Sequence, residues 1–305
     1  MSEAIVEEIP RTETGPEWQQ SSCTVLIPAY NEREAISHVV RDVTSALAQW
    51  EETIEILVID DGSSDGTGDE AAKLGARVVK HLNNRGYGSA LKTGLRNAQG
   101  DYIVIIDADG TYPAERIPEL LNELSRCDMA VGSRVGDNVN VPMERRPMKW
   151  VLKQFAQFLS GQRIPDLNSG LRAFRKADAL RFLSLYPSGF SFTTTISLAF
   201  LCNDMLVHYI PIDYHERMGH SKLRPIRDTK NLFLTVIRCI LFFNPLRVCI
   251  PASMVMFMVA LALGLWVRDA DGRILDGTIT ILVTCGLQII IVGFLADILS
   301  RFVRD

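Results

Sequence analysis

Short apolar segments alternate with amphipathic segments along the first third of the chain. Four continuously apolar, β-branched segments predict buried strands: TVLIPA, TIEILVID, ARVVK and DYIVIIDAD. Three segments between them have the spacing and composition of helices: 34–49, 65–74 and 87–98. This alternation predicts an α/β domain built on a mostly parallel sheet.

Acidic residues follow two of the predicted strands. Asp60 and Asp61 end the second strand, and Asp107 and Asp109 end the fourth. Ligands of such sheets bind outside the carboxyl ends of the strands. The sequence therefore predicts a binding site that contains both acidic clusters.

Two apolar segments near the C-terminus, residues 248–267 and 278–299, are long enough to cross a bilayer as a helical hairpin. Basic residues are more frequent outside the hairpin than in the link between its helices. The positive-inside tendency therefore predicts a two-span protein of the cytoplasmic membrane, with its main domain and both termini in the cytoplasm. A pair of buried core helices is the competing interpretation.

The remaining boundaries follow from composition. Residues 1–22 are acidic, contain two prolines and lack an apolar run, which predicts a disordered tail. Residues 23–230 form the α/β domain, residues 231–247 an amphipathic helix in the membrane interface or else a core helix, and residues 248–305 the hairpin. The net charge of −4 does not favour nucleic-acid binding, and a homo-oligomer stays open.

The segment IDADGTYPAE carries the strongest chemical signal. Two carboxylates separated by one residue, Asp107 and Asp109, can present oxygen ligands to Mg²⁺ or Mn²⁺. Such an ion would neutralise a diphosphate leaving group. Two solvated turn carboxylates are the alternative interpretation.

Two further segments suggest a nucleotide. In VIDDGSSDGT, Asp61 can accept hydrogen bonds from a base or ribose, although a turn in which Asp65 caps the next helix explains part of the motif. In VLIPAYNE, Tyr30 offers a ring for stacking, and Glu32 enters the next helix. The glycines of NRGYGSALKTG suggest a close approach of the backbone to the donor, with Lys92 near its phosphates.

These segments, followed by GSR, DLNSGLRAF and GHSK, resemble the family 2 glycosyltransferases with a GT-A fold, a Rossmann-like architecture. The pattern over residues 23 to about 230 is similar to that of the polyprenyl-phosphate sugar synthases of the dolichyl phosphate mannose type. The resemblance implies a metal site formed by Asp107 and Asp109. It implies a donor site that contains Pro28, Tyr30, Glu32, Asp60, Asp61, Lys92, Asp107, Ala108, Asp109 and Arg134. It implies an acceptor-phosphate site that contains Arg145, Arg146, Arg217, Ser221 and Lys222, with Asp166 and Asp109 as catalytic residues.

Three positions depart from the family pattern. Thr111 replaces a glutamine that often contacts the metal. Glu216 stands where an acceptor-loop arginine is usual, with Arg217 as its neighbour. In the segment SFTTT, Thr195 stands where relatives often have an acid.

The resemblance implies inverting, metal-dependent transfer of a hexose from UDP or GDP to a polyprenyl phosphate of the undecaprenyl or dolichyl type. The basic loop of residues 214–227 suits such a phosphate. A phosphate monoester is largely ionised at neutral pH and can attack with little help, so Asp166 is either a base or an orienting group. One alternative is transfer to a lipid or saccharide hydroxyl, which needs a base. A catalytically silent membrane scaffold is the alternative from another class.

Overall fold

The computed structural model describes residues 21–134, 154, 157, 164–189, 191–215, 242, 245–267 and 275–304. Its strands are β1 (Cys23–Ala29), β2 (Ile54–Asp60), β3 (Arg77–Lys80), β4 (Tyr102–Ile105), β5 (Met129–Ser133), β6 (Arg172–Arg175) and β7 (Val207–Pro211). Its helices are α1 (Arg33–Ala46), α2 (Thr67–Lys73), α3 (Tyr87–Asn97), α4 (Ile117–Glu123), α5 (Lys176–Arg181), α6 (Phe192–Leu201), α7 (Leu246–Val267) and α8 (Leu275–Arg304). Two 3-10 segments lie at Ala48–Thr53 and Ala114–Arg116.

The seven strands form one sheet in the order β3-β2-β1-β4-β6-β5-β7. β1 pairs in parallel with both β2 and β4, and all of its residues are buried. β6 pairs antiparallel with β4 and with β5, while the other strands share one direction. The four strands predicted from the sequence correspond to β1–β4, and the mostly parallel α/β fold is confirmed.

Helices cover both faces of the sheet. α3, α5 and α6 pack on one face, and α1, α2 and α4 pack on the other. α1 docks through Ile36, Val39, Val40 and Val43, whose spacing places them on one side of a helix. α6 differs, because all ten of its residues are buried and four of them carry hydroxyl groups.

The helices α7 and α8 contain the two predicted spans. Their large apolar side chains are exposed to an unusual degree; for example, Leu261 is 64% and Leu299 is 65% exposed. Core helices would bury such side chains, so the interpretation as two buried core helices is wrong. A Cβ atom on Gly286 would lie 2.7 Å from Cε1 of Phe257, so the absent side chain lets the two helices approach closely.

The hairpin and the segment before it also touch the α/β domain. Phe242 and Val248 pack against the core on the α6 side of the sheet. Residues 1–20 of the predicted tail and residues 231–241, 243 and 244 of the predicted interfacial helix lie outside the described residues.

Candidate active site

The topology gathers the candidate residues at one edge of the sheet. Tyr30 follows β1, Asp61 follows β2, Asp107 follows β4 and Arg134 follows β5, all at carboxyl ends that point the same way. Because β6 runs in the opposite direction, its first residue, Arg172, lies at the same edge. The two acidic clusters therefore face one site, as the sequence predicts.

The loop from residue 30 to residue 33, which leads into α1, is fixed by the loop between β2 and α2. Three of its backbone N–H groups donate hydrogen bonds to side chains: Asn31 to Ser63 (2.9 Å), Glu32 to Thr67 (2.9 Å) and Arg33 to Asp65 (3.2 Å). Asp65 also accepts a hydrogen bond from the N–H of Thr67, the first residue of α2, at 3.0 Å. The polar residues of this turn thus fix the loop that carries Tyr30.

The carboxylate of Asp61 is bonded by the chain itself. Oδ1 accepts a hydrogen bond from the N–H of Arg85 (2.9 Å) and lies 2.6 Å from Nδ1 of His81. Oδ2 accepts one from the N–H of Gly86 (2.8 Å). The other ring nitrogen of His81 lies 2.9 Å from the hydroxyl of Thr93. Asp61 therefore holds the β3–α3 loop against the end of β2, and a contact with a nucleoside would be additional to these bonds.

Asp60 is enclosed under α2. Its side chain is fully buried, and Oδ1 accepts a hydrogen bond from the N–H of Ser63 at 2.8 Å. A Cβ atom on Gly68 would lie 2.6 Å from Oδ2, and the ammonium of Lys80 lies 3.5 Å from the same oxygen. A nucleotide-sugar substrate could reach this carboxylate only if α2 moved.

The glycines at the start of α3 make room for another loop of the protein. A Cβ atom on Gly86 would lie 2.6 Å from the carbonyl oxygen of Ser188, and one on Gly88 would overlap that of Pro187. The N–H of Ser89 donates to the carbonyl of Ser188 at 3.1 Å. The sequence predicts that Gly86 and Gly88 let the backbone approach the nucleotide-sugar donor. This prediction is wrong, because residues 187–189 occupy the space beside both glycines.

Asp107 and Asp109 are two carboxylates held close together in the turn after β4. Burial and the charge of Asp109 raise the pKa of Asp107 to about 6. The hydroxyl of Tyr87 donates to Oδ1 of Asp107 at 2.8 Å. The hydroxyl and N–H of Thr111 donate to Oδ1 of Asp109 at 2.6 Å and 3.2 Å. Each carboxylate is thus oriented by one hydroxyl group while the two charges repel each other.

This pair fits a divalent cation. Oδ2 of Asp107 accepts no hydrogen bond from the described residues, and a Cβ atom on Gly170 would lie 2.6 Å from Cγ of Asp107. No group of three or more His, Cys, Asp or Glu side chains suited to a metal occurs among the described residues. Two carboxylates would therefore hold the ion, and waters and phosphate oxygens would complete its shell, as is common for Mg²⁺. Thr111 uses its hydroxyl to orient Asp109 in this arrangement.

Asp166 and Arg134 form the second charged group of the site. Nε and Nη2 of Arg134 donate to Oδ2 and Oδ1 of Asp166 at 2.7 Å and 3.0 Å. The backbone N–H groups of Arg134 and Asn168 donate to the same carboxylate at 3.2 Å and 3.0 Å. Burial acts to raise the pKa of Asp166, but the Arg134 guanidinium outweighs it and holds that pKa below its ordinary value. Asp166 is therefore suited to orienting Arg134 and poorly suited to accepting a proton.

Sequence reasoning missed three of the residues that shape the site. Tyr87 holds Asp107, and burial, with the Asp107 charge, raises the pKa of its hydroxyl, so it stays a donor. His81 holds Asp61. Tyr112 accepts a hydrogen bond from the N–H of Gly170 at 2.7 Å. The position of Tyr87 in the NRGYG segment was the one available signal, since the other contacts join residues far apart in the chain.

The other predicted residues are placed as follows. Pro28 is buried in β1 opposite Ile59, and Ala108 is buried between the two acidic residues. The ammonium of Lys92 donates to the carbonyl of Tyr186 at 3.0 Å, which joins α3 to the loop after α5. The predicted acceptor residues lie outside the described residues: Arg145, Arg146, Arg217, Ser221 and Lys222.

Comparison with known proteins gives matches over both parts of the chain. The sequence matches the family described as Glycosyl transferase family 2 over residues 24–182 and the GtrB C-terminal hairpin over residues 244–302. It is 29% identical to Glycosyltransferase AglJ of Haloferax volcanii over 293 residues, which cover 92% of this chain and 94% of that protein. It is 30% identical to the undecaprenyl-phosphate mannosyltransferase of Micrococcus luteus over 213 residues, which cover 65% of this chain and 86% of that protein.

A solved structure shares the fold. Glucosyl-3-phosphoglycerate synthase from Mycobacterium tuberculosis superposes with a TM-score of 0.57 at 21% identity, covering 72% of this chain and 78% of that one. The predicted GT-A architecture is confirmed. The hairpin match, together with the exposed apolar surfaces of α7 and α8, identifies a membrane protein with two spans.

Proposed function

Because the chain belongs to glycosyl transferase family 2 and is a glycosyltransferase, we propose that it transfers a hexose from a nucleotide-diphosphate donor to a polyprenyl phosphate. The reaction is a single displacement that inverts the anomeric centre. The lipid is of the undecaprenyl or dolichyl type, and the donor is a UDP- or GDP-hexose. The name of the Micrococcus luteus relative, an undecaprenyl-phosphate mannosyltransferase, supports this acceptor class.

The main support for a phosphate acceptor is the carboxylate of Asp166, which already accepts hydrogen bonds from Arg134. A hydroxyl acceptor would need a base to remove its proton, whereas a phosphate monoester is already largely ionised at neutral pH. Asp166 has both oxygens bonded by Arg134, and that pairing lowers its pKa. The site therefore fits a nucleophile that arrives ionised better than one that must be deprotonated.

The donor half of the site contains the two acidic clusters. Asp107 and Asp109 would hold Mg²⁺ or Mn²⁺, which supplies charge neutralisation to the leaving diphosphate. The fold neighbour from Mycobacterium tuberculosis was solved with Mn²⁺ and UDP, which agrees with this assignment. Tyr30 would stack on the base at the end of β1, and Asp61 and the loop it holds would form the wall beside the nucleoside.

Arg134 would bind phosphate with the part of its guanidinium that Asp166 leaves available. Nε and Nη2 are engaged by the carboxylate, and the guanidinium carbon lies 5.3 Å from the centre of the Tyr214 ring. This support on two sides fixes the plane of the guanidinium before a substrate binds, which reduces the entropy lost on binding.

The acceptor half would contain four basic residues and one serine: Arg145, Arg146, Arg217, Lys222 and Ser221. The loop with the last three precedes the hairpin, so its cations would reach the depth of lipid phosphates. The excess of basic residues outside the hairpin supports an orientation with the catalytic domain and both termini in the cytoplasm. We also expect residues 23–230 to form a domain that folds without the hairpin.

A substrate panel tests the acceptor class. Purified full-length protein is assayed with Mn²⁺ and a set of UDP- and GDP-hexoses against a polyprenyl phosphate, the matching polyprenol and a soluble sugar. Transfer only to the lipid phosphate is expected. Transfer to the polyprenol but not to its phosphate would overturn the proposal. A protein that neither transfers nor hydrolyses any of the nucleotide sugars would be a catalytically silent scaffold.

The basic loop is tested by the double variant Arg217→Ala/Lys222→Ala. Each lost charge-assisted hydrogen bond is worth about 1.5–3 kcal/mol, so the KM for the lipid should rise roughly tenfold or more. Nucleotide affinity, titrated with metal present, should change much less. An equal loss for both substrates would move this loop to the donor site.

Truncation tests the domain division. A chain that ends after residue 230 should stay soluble and bind the donor nucleotide, because the strands and acidic clusters precede that point. Phe242 and Val248 pack against the core, so some loss of thermal stability is expected. Loss of nucleotide binding would show that the hairpin is part of the folding unit.

A further inference from the structure

Arg172, the first residue of β6, is the largest of the fully buried side chains. Nη1 donates to the carbonyl of Thr193 at 3.0 Å and to the hydroxyl of Ser197 at 3.1 Å. Nη2 donates to the carbonyl of Ser169, and Nε has no hydrogen-bond partner in the part of the chain that the structure describes. Among the described residues, no carboxylate lies within ion-pair distance of this guanidinium.

A buried cation of this kind is expensive to maintain. An arginine keeps its charge in proteins, and removal of that charge from water without a counter-ion is strongly unfavourable. α6 offers Arg172 one carbonyl, that of Thr193, and one hydroxyl, that of Ser197. The hydroxyl of Thr195 donates to the carbonyl of Ser191 at 2.9 Å. The helix therefore solvates the cation with neutral groups and does not neutralise it.

The register of the sheet shows what the charge faces. Arg172 is paired with Ile105 of β4, so both side chains project from the same face. Asp107 follows Ile105 by two residues, which is about 7 Å along a strand, and it is bonded to Tyr87 from the helix layer on that face.

We propose that Arg172 is a positioning residue that supplies a fixed positive charge beneath the carboxylate pair and the donor diphosphate. The charge offsets the repulsion of Asp107 and Asp109, and it adds to the attraction for the diphosphate when the donor binds. Because water is excluded around Arg172, its field is screened less than that of a surface lysine. This inference rests on the proposed nucleotide-sugar donor.

A counter-charge placed beside Arg172 tests the proposal. Ser197→Asp would put a carboxylate next to Nη1, and Ser197→Asn is the matched neutral control of nearly equal size. The full-length protein in detergent is titrated with UDP and GDP, and with UMP and GMP, in the presence of Mn²⁺. The diphosphate that the wild type binds should lose about tenfold or more in affinity in the Asp variant and less than about threefold in the Asn variant. The monophosphate should change less.

A second pair of variants keeps the test decisive if a carboxylate at residue 197 prevents folding. Arg172→Lys retains the charge and loses the planar fork, whereas Arg172→Met removes the charge with a similar volume. The Lys variant should bind the diphosphate more tightly than the Met variant when both have the same melting temperature.

Three results would overturn the inference. Equal affinities of the Asp and Asn variants at residue 197, or of the Lys and Met variants at residue 172, would leave Arg172 with a purely structural role. A wild-type protein that binds neither diphosphate would remove the donor assignment, and this inference would fall with it. Normal diphosphate binding without transfer to a lipid would instead overturn only the proposed acceptor.

Discussion

Two acidic pairs lie at the same edge of the sheet, and the protein compensates their charges in different ways. Asp61 receives two backbone N–H groups and a histidine, so its charge is satisfied when the chain folds. Asp107 and Asp109 are oriented by hydroxyl groups, and burial together with their mutual repulsion raises the pKa of Asp107. The first cluster stabilises the loops of the site, whereas the second fits a counter-charge from outside the chain.

The largest expected effect comes from removing one charge of the second cluster. Asp109→Asn should lower turnover by at least about 100-fold, because the leaving diphosphate loses the cation that this carboxylate helps to hold. The amide oxygen can still accept the hydrogen bonds of Thr111, so the melting temperature should not fall. Steady-state rates at saturating Mn²⁺ measure the effect, and Thr111→Ser is a control that keeps the hydroxyl and should retain activity. Full activity in EDTA would contradict the metal role.

The first cluster should show the reverse behaviour, with a loss of stability. In Asp61→Asn, either orientation of the amide places an NH₂ group against a backbone N–H, that of Arg85 or that of Gly86. A buried donor left without an acceptor costs about 1–3 kcal/mol, so unfolding should become easier by roughly 2–3 kcal/mol. Chemical unfolding of the metal-free protein measures this.

Asp60→Asn is the matched control for that comparison. Its Oδ1 can still accept the N–H of Ser63, and the change removes only a 3.5 Å ion pair with the half-exposed Lys80. Oδ2 of Asp60 accepts no hydrogen bond from the described residues, so its replacement by an amide breaks none, and the variant should lose less stability than Asp61→Asn. Equal destabilisation at both positions would remove the distinction between the two acids.

The difference between the clusters could not be predicted from the sequence. The strands β1–β4 were predictable because each is apolar throughout, and parallel order followed from the helices between them. The paired acids at their ends gave the location of the site. The donors that bind Asp61 come from Arg85 and Gly86, which no local pattern connects with residue 61.

The strands β5, β6 and β7 were missed for related reasons. β6 is four residues long and begins and ends with arginine, so its pattern does not resemble a buried strand. Its first arginine is fully buried, and Ser169 together with Thr193 and Ser197 of α6 offers it acceptors. The loop that fills the space of Gly86 and Gly88 lies about a hundred residues further along the chain, so no local pattern connects it with those glycines.

The smallest expected effect is the pH dependence of stability that Asp107, beside Asp109, gives to the metal-free protein. The pKa of Asp107 is raised from 3.8 to about 6 by burial and by Asp109, so the folded protein resists ionisation of this group. Well below pH 4 the carboxyl is protonated in both the folded and the unfolded state, and it then costs no stability. Between about pH 4 and pH 6 the unfolded chain ionises first, so stability falls as the pH rises and then stays reduced.

The variant Asp107→Asn removes this pH dependence while its amide oxygen can still accept the Tyr87 hydroxyl. Without metal, its advantage in unfolding free energy over the wild type should grow from near zero at pH 4 to on the order of 2 kcal/mol at pH 7. Saturating Mn²⁺ should reverse the order, because only the wild type has both carboxylates that hold the ion. Melting temperatures in detergent between pH 4 and pH 7, with and without Mn²⁺, measure both effects. The contrary result is a difference in melting temperature between the two proteins that is the same at pH 4 and at pH 7, with and without Mn²⁺. That result would show that Asp107 carries no unbalanced charge, and the contrast with Asp61 would disappear.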